Sequence, residues 1–371
     1  MELVAGVALN GVGAGLAVLV AQAPAEERRR LLGEALRLGL GISLPVAVAI
    51  GAAALLYSGT IPRSTIAIAC LAGWAAVVPG LANSFWLGQE RRGPMLALAS
   101  ASALLLLAAA AAAPKNFVLE VLPAAYAAPA LVLLLLRRPL DAGVSAEHHA
   151  LRRYVLPGLS IGILSPASLL AARALVADAL SWHEAGVLQA LWRVSDWVCG
   201  LAGGIMSVYY LPRLAAAHRR GELPAEVRSM LARLVLPAAL LFACLYAFHR
   251  GLLAALYEPG FAASDAAVAL VFAGSLVRIA SWVALFALYA MRRTTAIAIG
   301  ELLSLPLFAA LLALSGARLT LELAGALWLA SFVAYCGFNV WAARRPKPNS
   351  PISGVSARRL RRRRVLTGER E

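Results

Sequence analysis

Apolar runs of about 18 residues or more recur along most of this 371-residue chain, and that pattern decides its fold class. A run that long spans the hydrocarbon of a bilayer, where backbone N–H and C=O groups must pair within a helix or around a closed barrel. The runs are continuous stretches of Ala, Leu and Val rather than short alternating segments, which selects helices. Composition agrees: 61% of residues are hydrophobic and 14% charged, against about 45–50% and about 25% in a soluble domain. The expected fold is an all-α polytopic membrane helical bundle.

With boundaries good to a few residues, the spans fall at 3–22, 35–57, 64–88, 94–113, 117–136, 154–177, 187–212, 233–256, 264–290, 294–315 and 319–342, eleven in all. The connections between them alternate in charge. Those after the odd-numbered spans, with the helix ends they adjoin and the C-terminal tail, hold 27 of the 34 Lys and Arg residues. Those after the even-numbered spans hold only Arg63, Lys115 and Arg318. By the positive-inside rule the first set and the tail are cytoplasmic. The formal charge of +15 therefore does not indicate nucleic-acid binding. Residues 343–371 alone carry a net +8, and "RRLRRRR" at 358–364 suits the anionic lipids of an inner leaflet.

Two charged phrases recur 200 residues apart: "PAEERRRLLGEALRL" from Pro24 and "PAEVRSMLARL" from Pro224. The same alignment brings "GQERRGP" (Gly88 to Pro94) onto "AMRRTT" (Ala290 to Thr295), and the first five spans onto the seventh to eleventh. A period this long means lobes rather than solenoid units. The expected plan is an N-terminal lobe at 1–140, a linker at 141–153, a C-terminal lobe at 154–342 and a basic tail at 343–371. The repeats run in one sense, so their pseudo-two-fold axis lies along the membrane normal. The 154–177 span has no counterpart. An odd span count with a cytoplasmic tail also puts Met1 outside, although "MELVAGVAL" lacks the basic start of a signal peptide. The first lobe thus reads as shortened by roughly 50–60 residues, one helix of a twelve-helix plan.

Polar groups inside spans are costly in lipid and are the functional candidates. At 100° per residue Gln189, Arg193, Asp196, Gly200, Gly203 and Ser207 share one narrow face. Arg193 and Asp196, three apart and flanked by Trp192 and Trp197, can pair. Such a stripe either lines a hydrated cavity or locks helices through an ion pair and small residues. Arg278 and Arg173 are further basic candidates for substrate binding, and Arg173, near the outer end, can also snorkel. Glu301 lies nine residues past Arg292, about 13 Å into the membrane; it and Asp196 are candidates for proton coupling. Glu120, followed by Pro123 and Pro129, reads equally as hinge or cavity wall, and Asn10, Gln22, Asn83 and Asn339 read equally as interhelical contacts or ligands. Cys70, Cys199, Cys244 and Cys336 form no CxxC and read as buried thiols. His148–His149 is a weak metal signal, and no P-loop motif exists. No catalytic residue, cofactor or metal is expected.

"SWHEAGVLQALWRVSDW" with "SVYYLPRLA" resembles the Wzx-type flippases of O-antigen and enterobacterial common antigen, in the superfamily of polysaccharide and multidrug exporters. The resemblance rests on Ser181-Trp182, Glu184, Gly186, Gln189, Ser195-Asp196 and Tyr210-Leu211-Pro212. "ALNGVGAGLAVLVAQ" with Asn10-Gly11 is similar to the family's second helix, and "AIGELLSL" around Glu301 is also similar. Arg193 has no counterpart in the family pattern, so its role rests on the stripe. The resemblance implies a transporter rather than an enzyme. It would flip an undecaprenyl-pyrophosphate-linked oligosaccharide from the cytoplasmic to the periplasmic leaflet of a bacterial inner membrane, with polysaccharide polymerase machinery as a further partner. The alternatives are a cation-coupled drug exporter and a polytopic polymerase or ligase. The short outer connections "YSGTIPRST" and "YEPGFAA" argue against the enzyme. If the charge reading is right, tags placed in 137–153 and after Trp341 will be reached only from the cytoplasm; labelling either from outside would reverse the orientation.

Overall fold

Every regular element among the described residues of the computed structural model is helical. Those residues are 2–57, 62–114, 118–136, 148–257 and 261–345. Most of the expected linker, and the tail from 346 onward with its basic run, lie outside them. Ten helices are long and apolar enough to cross a membrane. The first four are α1 (Val4–Gln22), α2 (Ala25–Leu56), α3 (Arg63–Gly88) and α4 (Arg92–Ala112). The apolar helix α5 (Val118–Leu136) follows. The others are α6 (His149–Ala179), α7 (Trp182–Arg220), α8 (Leu223–Ala247), α9 (Asp265–Ala290), α10 (Thr294–Arg318) and α11 (Leu321–Arg344). All eleven expected stretches are helical.

The helix ends differ from the hydropathy reading for local reasons. The 187–212 span grows into α7 at both ends. Ser181 caps its start by accepting from the Glu184 amide at 3.0 Å. Gly221 ends it in the left-handed region at φ 78°, after a last turn rich in His and Arg. The charged phrase after Pro24 is the first turns of α2 rather than a loop, with Glu26 and Glu27 placed favourably at the N-terminus. The 233–256 span divides into α8 and a short helix, His249–Leu256.

The outer faces are those of a protein solvated by lipid. No residue of α4 is buried, and Leu96, Leu104 and Leu107 are each about two-thirds exposed. Leucines left bare in water would each forfeit roughly 1.5–3 kcal/mol of burial; against lipid they forfeit nothing.

Buried apolar side chains form three clusters. One draws on residues 5–151. A larger one draws on 172–335, centred on Trp192, which stacks on Trp328 at 5.1 Å with Phe308 edge-on. The third spans the two groups, bringing Ala17, Val18 and Leu87 against Leu211, Ala215, Leu285 and Leu288.

α1 and α6 approach each other closely at two glycines. A Cβ added to Gly11 would lie 2.3 Å from the Tyr154 carbonyl oxygen and 2.5 Å from the Gly158 Cα. One added to Gly158 would lie 2.6 Å from the Val7 carbonyl oxygen. Both helices are locally widened near this crossing, by π turns at Leu9–Gly13 and Ser160–Leu164. A third π turn, Met206–Tyr210, interrupts α7 just before Pro212, whose missing N–H would break an α ladder there in any case.

Two tight turns share one geometry. Glu90 and Arg292 are the positive-φ residues other than glycine among the described residues, both at φ 58°. In the first, Arg91 N–H donates to the Trp86 carbonyl and Glu90 N–H to Leu87; in the second, Arg293 donates to Leu288 and Arg292 to Tyr289. These are helix-ending bonds of Schellman type. In the second turn the Arg293 side chain also donates to the carbonyls of Ala342 and Arg345, capping α11.

Because neighbouring backbone cannot yield as a side-chain tip does, Gly158→Ala should destabilise the protein by about 1–3 kcal/mol. It should reduce the monodisperse fraction recovered in detergent. Gly251→Ala, where an added Cβ meets nothing within 4 Å, should behave as wild type.

Candidate functional site

A cavity of about 350 Å³ lies where α1 and α3 face α7, α9, α10 and α11, with α6 completing the wall. All three π turns reach it, through Asn10 of α1, Ile161 of α6 and Ser207 of α7. In the first turn the Ala14 amide bonds the carbonyls of Leu9 and Gly11 and passes over Asn10. The Asn10 carbonyl instead accepts the Tyr289 hydroxyl at 2.8 Å. Tyr154 stacks parallel to Tyr289, ring centres 6.1 Å apart, and donates to the Tyr289 carbonyl at 3.2 Å. The irregular backbone of α1 is thus tied to α9, and α9 to α6.

An arginine and a glutamate line the wall. Arg278 Nη1 donates to Asp196 Oδ1 at 3.0 Å, which engages one of its three nitrogens. The guanidinium also lies 4.9 Å from the ring centre of Trp282 and 5.6 Å from that of Phe332, within cation–π range. Glu301 is buried and accepts the Tyr335 hydroxyl. Its position follows from Pro306, which opens a helical turn and cannot donate to the Leu302 carbonyl. α10 therefore breaks at Leu303–Ser304. The Ser304 hydroxyl and amide both donate to the Glu301 carbonyl, at 2.7 and 3.3 Å.

The candidates from the sequence divide. Arg278, Glu301, Gly203 and Ser207 line the cavity, as does Asn10. Asp196 reaches it through Arg278. The expected pairing of Arg193 with Asp196 is not formed: Arg193 is exposed and does not line the cavity, and the partner of Asp196 sits on α9. Gln189 and Arg173 are half-buried, the Gln189 Oε1 and Arg173 Nε atoms being buried without a hydrogen-bond partner. Glu120 accepts from Thr65 at 2.5 Å and ties α5 to α3. Asn339 is buried, and a Cβ on Gly300 would meet its Oδ1 at 2.6 Å. Of the cysteines, Cys199 is buried, Cys70 and Cys336 are half-buried and Cys244 is exposed on α8, so burial does not extend to all four. No group of three or more His, Cys, Asp or Glu among the described residues is arranged to hold a metal. Sequence reasoning missed Tyr289, Tyr335 and Ser304. The one available signal was Pro306, which marks the break beside Glu301.

No protein-family model and no curated protein matches the sequence. Solved structures do. A mutant of MATE superposes with a TM-score of 0.73 at 14% identity, over 92% of this chain and 84% of that one. An outward-facing multidrug resistance MATE family transporter of the MOP superfamily gives 0.72 at 14% identity over the same shares. A MOP superfamily transporter from Pyrococcus furiosus gives 0.70 at 14% identity, again over 92% and 84%. The chain has the MATE fold.

In this MATE-fold chain the cavity is closed towards the charged turns. The third apolar cluster fills that side, and two arginines fasten it. Arg219, at the end of α7, donates to the carbonyls of Ala21 and Gln22 at 3.1 and 3.4 Å, groups that the end of α1 leaves unpaired. Arg292, in the turn after α9, donates from Nε to the Gln22 side-chain oxygen at 2.9 Å and again from Nη2. Gln22 is thereby an interhelical contact. Removing both arginines (Arg219→Ala with Arg292→Ala) should make a Ser207→Cys thiol more reactive towards an impermeant maleimide added on the face of the charged turns. Equal labelling with and without them would show that the apolar cluster alone is the seal.

Proposed function

We propose that this protein carries an anionic amphiphile across the membrane by alternating access. The cargo is an undecaprenyl-pyrophosphate-linked oligosaccharide, taken from the cytoplasmic to the periplasmic leaflet of a bacterial inner membrane. The observation that carries this reading is Arg278: a guanidinium on the wall of a cavity between two groups of helices, tied by one nitrogen to Asp196 and backed by two aromatic rings. A planar donor fork suits phosphate oxygens better than a point charge does, and hydroxyl-bearing walls suit sugars. The polyprenyl chain stays in lipid. The MATE fold and the resemblance in α7 support transport rather than catalysis. The separate buried clusters and the matched turns at Glu90 and Arg292 support two lobes, 1–140 and 154–342, rocking about the linker at 141–153. On this reading the tail at 343–371 rests on anionic cytoplasmic lipids, polysaccharide polymerase machinery receives the product, and Glu301 or Asp196 carries the coupling proton.

A second reading has its own support. Glu301 shares the cavity with Trp282, Phe286 and Phe332, an acid among aromatic faces that suits an organic cation. One MATE-fold neighbour is described as a multidrug resistance transporter, and another as having a binding pocket of reversed polarity that suggests a different function.

Flipping of a fluorescent lipid-linked sugar in proteoliposomes separates the two. Arg278→Gln should slow it by about tenfold or more, the usual weight of a hydrogen bond to a charged group. Because Arg278→Gln strands the Asp196 carboxylate inside the bundle, folded yield is measured alongside, and Arg278→Gln with Asp196→Asn serves as the control that leaves no unpaired charge. Undiminished flipping by Arg278→Gln, with organic-cation export abolished by Glu301→Gln, would establish the second reading instead.

A further inference from the structure

A second, smaller space lies beside the central cavity, on the side of the charged turns. It is a crevice of about 100 Å³ between the turn that joins α3 to α4 and the middle of α7, walled by Leu87, Met95, Val208 and Pro212. At under a third of the cavity's volume, it suits a small charged headgroup and not a sugar chain. Leu87 lines both this crevice and the cavity. The π turn Met206–Tyr210 also serves both, through Ser207 above and Val208 and Tyr209 below.

The crevice carries paired guanidinium groups from opposite sides of the interface. Arg92 of α4 lies 5.6 Å from the ring centre of Tyr209, and Arg213 of α7 lies 4.8 Å from it. Arg213 is held in place, its Nε donating to Glu226 at 2.8 Å and its Nη1 to the Tyr209 hydroxyl. Arg92 makes no hydrogen bond or ion pair among the described residues. α4 begins at Arg92 without a side-chain cap, and a Cβ on Gly93 would meet nothing within 4 Å, so the first turn's partial positive charge is open. Glu90 lines the crevice and Glu226 holds Arg213. The two carboxylates match the two guanidinium groups in number, but the Arg92 guanidinium and the helix start have no carboxylate bonded to them, and the apolar walls suit a hydrocarbon chain leaving the headgroup.

We propose that this crevice is a loading site for the diphosphate headgroup of a polyprenyl lipid, gripped by Arg92 and Arg213 before it passes Leu87 into the cavity. The choice of a polyprenyl lipid and the direction of travel rest on the transport reading above; the binding of an anionic headgroup at Arg92 does not.

The test uses the full chain in nanodiscs, with a polyprenyl diphosphate as probe, phosphatidylglycerol and inorganic pyrophosphate as comparison ligands, and Arg92→Gln, Arg213→Gln, Glu90→Gln and Arg278→Gln variants. Arg92→Gln and Arg213→Gln should each weaken polyprenyl diphosphate binding by about tenfold or more, and Glu90→Gln should tighten it. Since Arg213 also braces α7 through Glu226, Arg92→Gln, which alters an exposed side chain, decides if Arg213→Gln fails to fold. Wild-type affinity in Arg92→Gln would overturn the proposal, and binding lost only in Arg278→Gln would move the headgroup to the cavity while leaving the transport reading intact. Inorganic pyrophosphate or phosphatidylglycerol binding as tightly as the polyprenyl diphosphate would overturn the stated ligand. Binding that depends on Arg92 in a wild-type protein that flips no lipid-linked sugar would uphold the site and remove the transport reading.

Discussion

In hydrocarbon, a backbone carbonyl that loses its helical partner has no water to turn to, and an unsatisfied group costs several kcal/mol. The rest of this structure depends on where that cost is met. Regular helix faces the lipid, as in α4, and irregular helix gathers at the centre. The π turns of α1, α6 and α7 and the proline break of α10 all border the cavity. Two of the carbonyls there accept from side chains: Asn10 from the Tyr289 hydroxyl and Glu301 from the Ser304 hydroxyl. The same departures widen the helices and turn polar atoms inward, so the cavity is a product of the backbone before it is a product of side chains.

The Asp196–Arg278 pair follows the same economy of placement. A lone arginine in an apolar helix keeps its charge and would have to snorkel towards an interface. One bond to a neighbouring carboxylate compensates that charge at the wall, while two aromatic rings hold its plane. The carboxylate is the more exposed member, at 45% against 21% for the arginine side chain. On the transport reading, that asymmetry suits a group that exchanges partners with a cargo.

Hydropathy placed the helices well because lipid imposes one rule on every exposed residue. It placed their ends poorly where amphipathic turns extend past the apolar run, as at Trp182 and Arg220. Helical periodicity also identified the α7 face that carries Gly203 and Ser207. It could not say which helix that face meets. The arginine nearest in sequence, Arg193, is exposed, and the actual partner of Asp196 lies 82 residues away on α9. Arg278 and Glu301 stood out as charges without company in apolar text. Tyr289 and Tyr335 did not, since tyrosine is unremarkable in a membrane helix until its hydroxyl is seen to reach a carbonyl or a carboxylate.

Leu87 has an electrical consequence. It separates the cavity from the crevice beneath it, with Leu211, Ala17 and their neighbours beside it. Where water enters both spaces, the insulating part of the membrane shrinks from its full thickness to the width of this plug. A transmembrane voltage falls across whatever remains non-conducting, and a full drop of 100 mV is worth about 2.3 kcal/mol for each elementary charge moved through it. The field is then steepest at Leu87, which shares the crevice wall with Arg92 and Arg213. A headgroup bearing two negative charges, crossing a barrier that thin, would feel the resting potential over a few ångströms rather than gradually along the whole path.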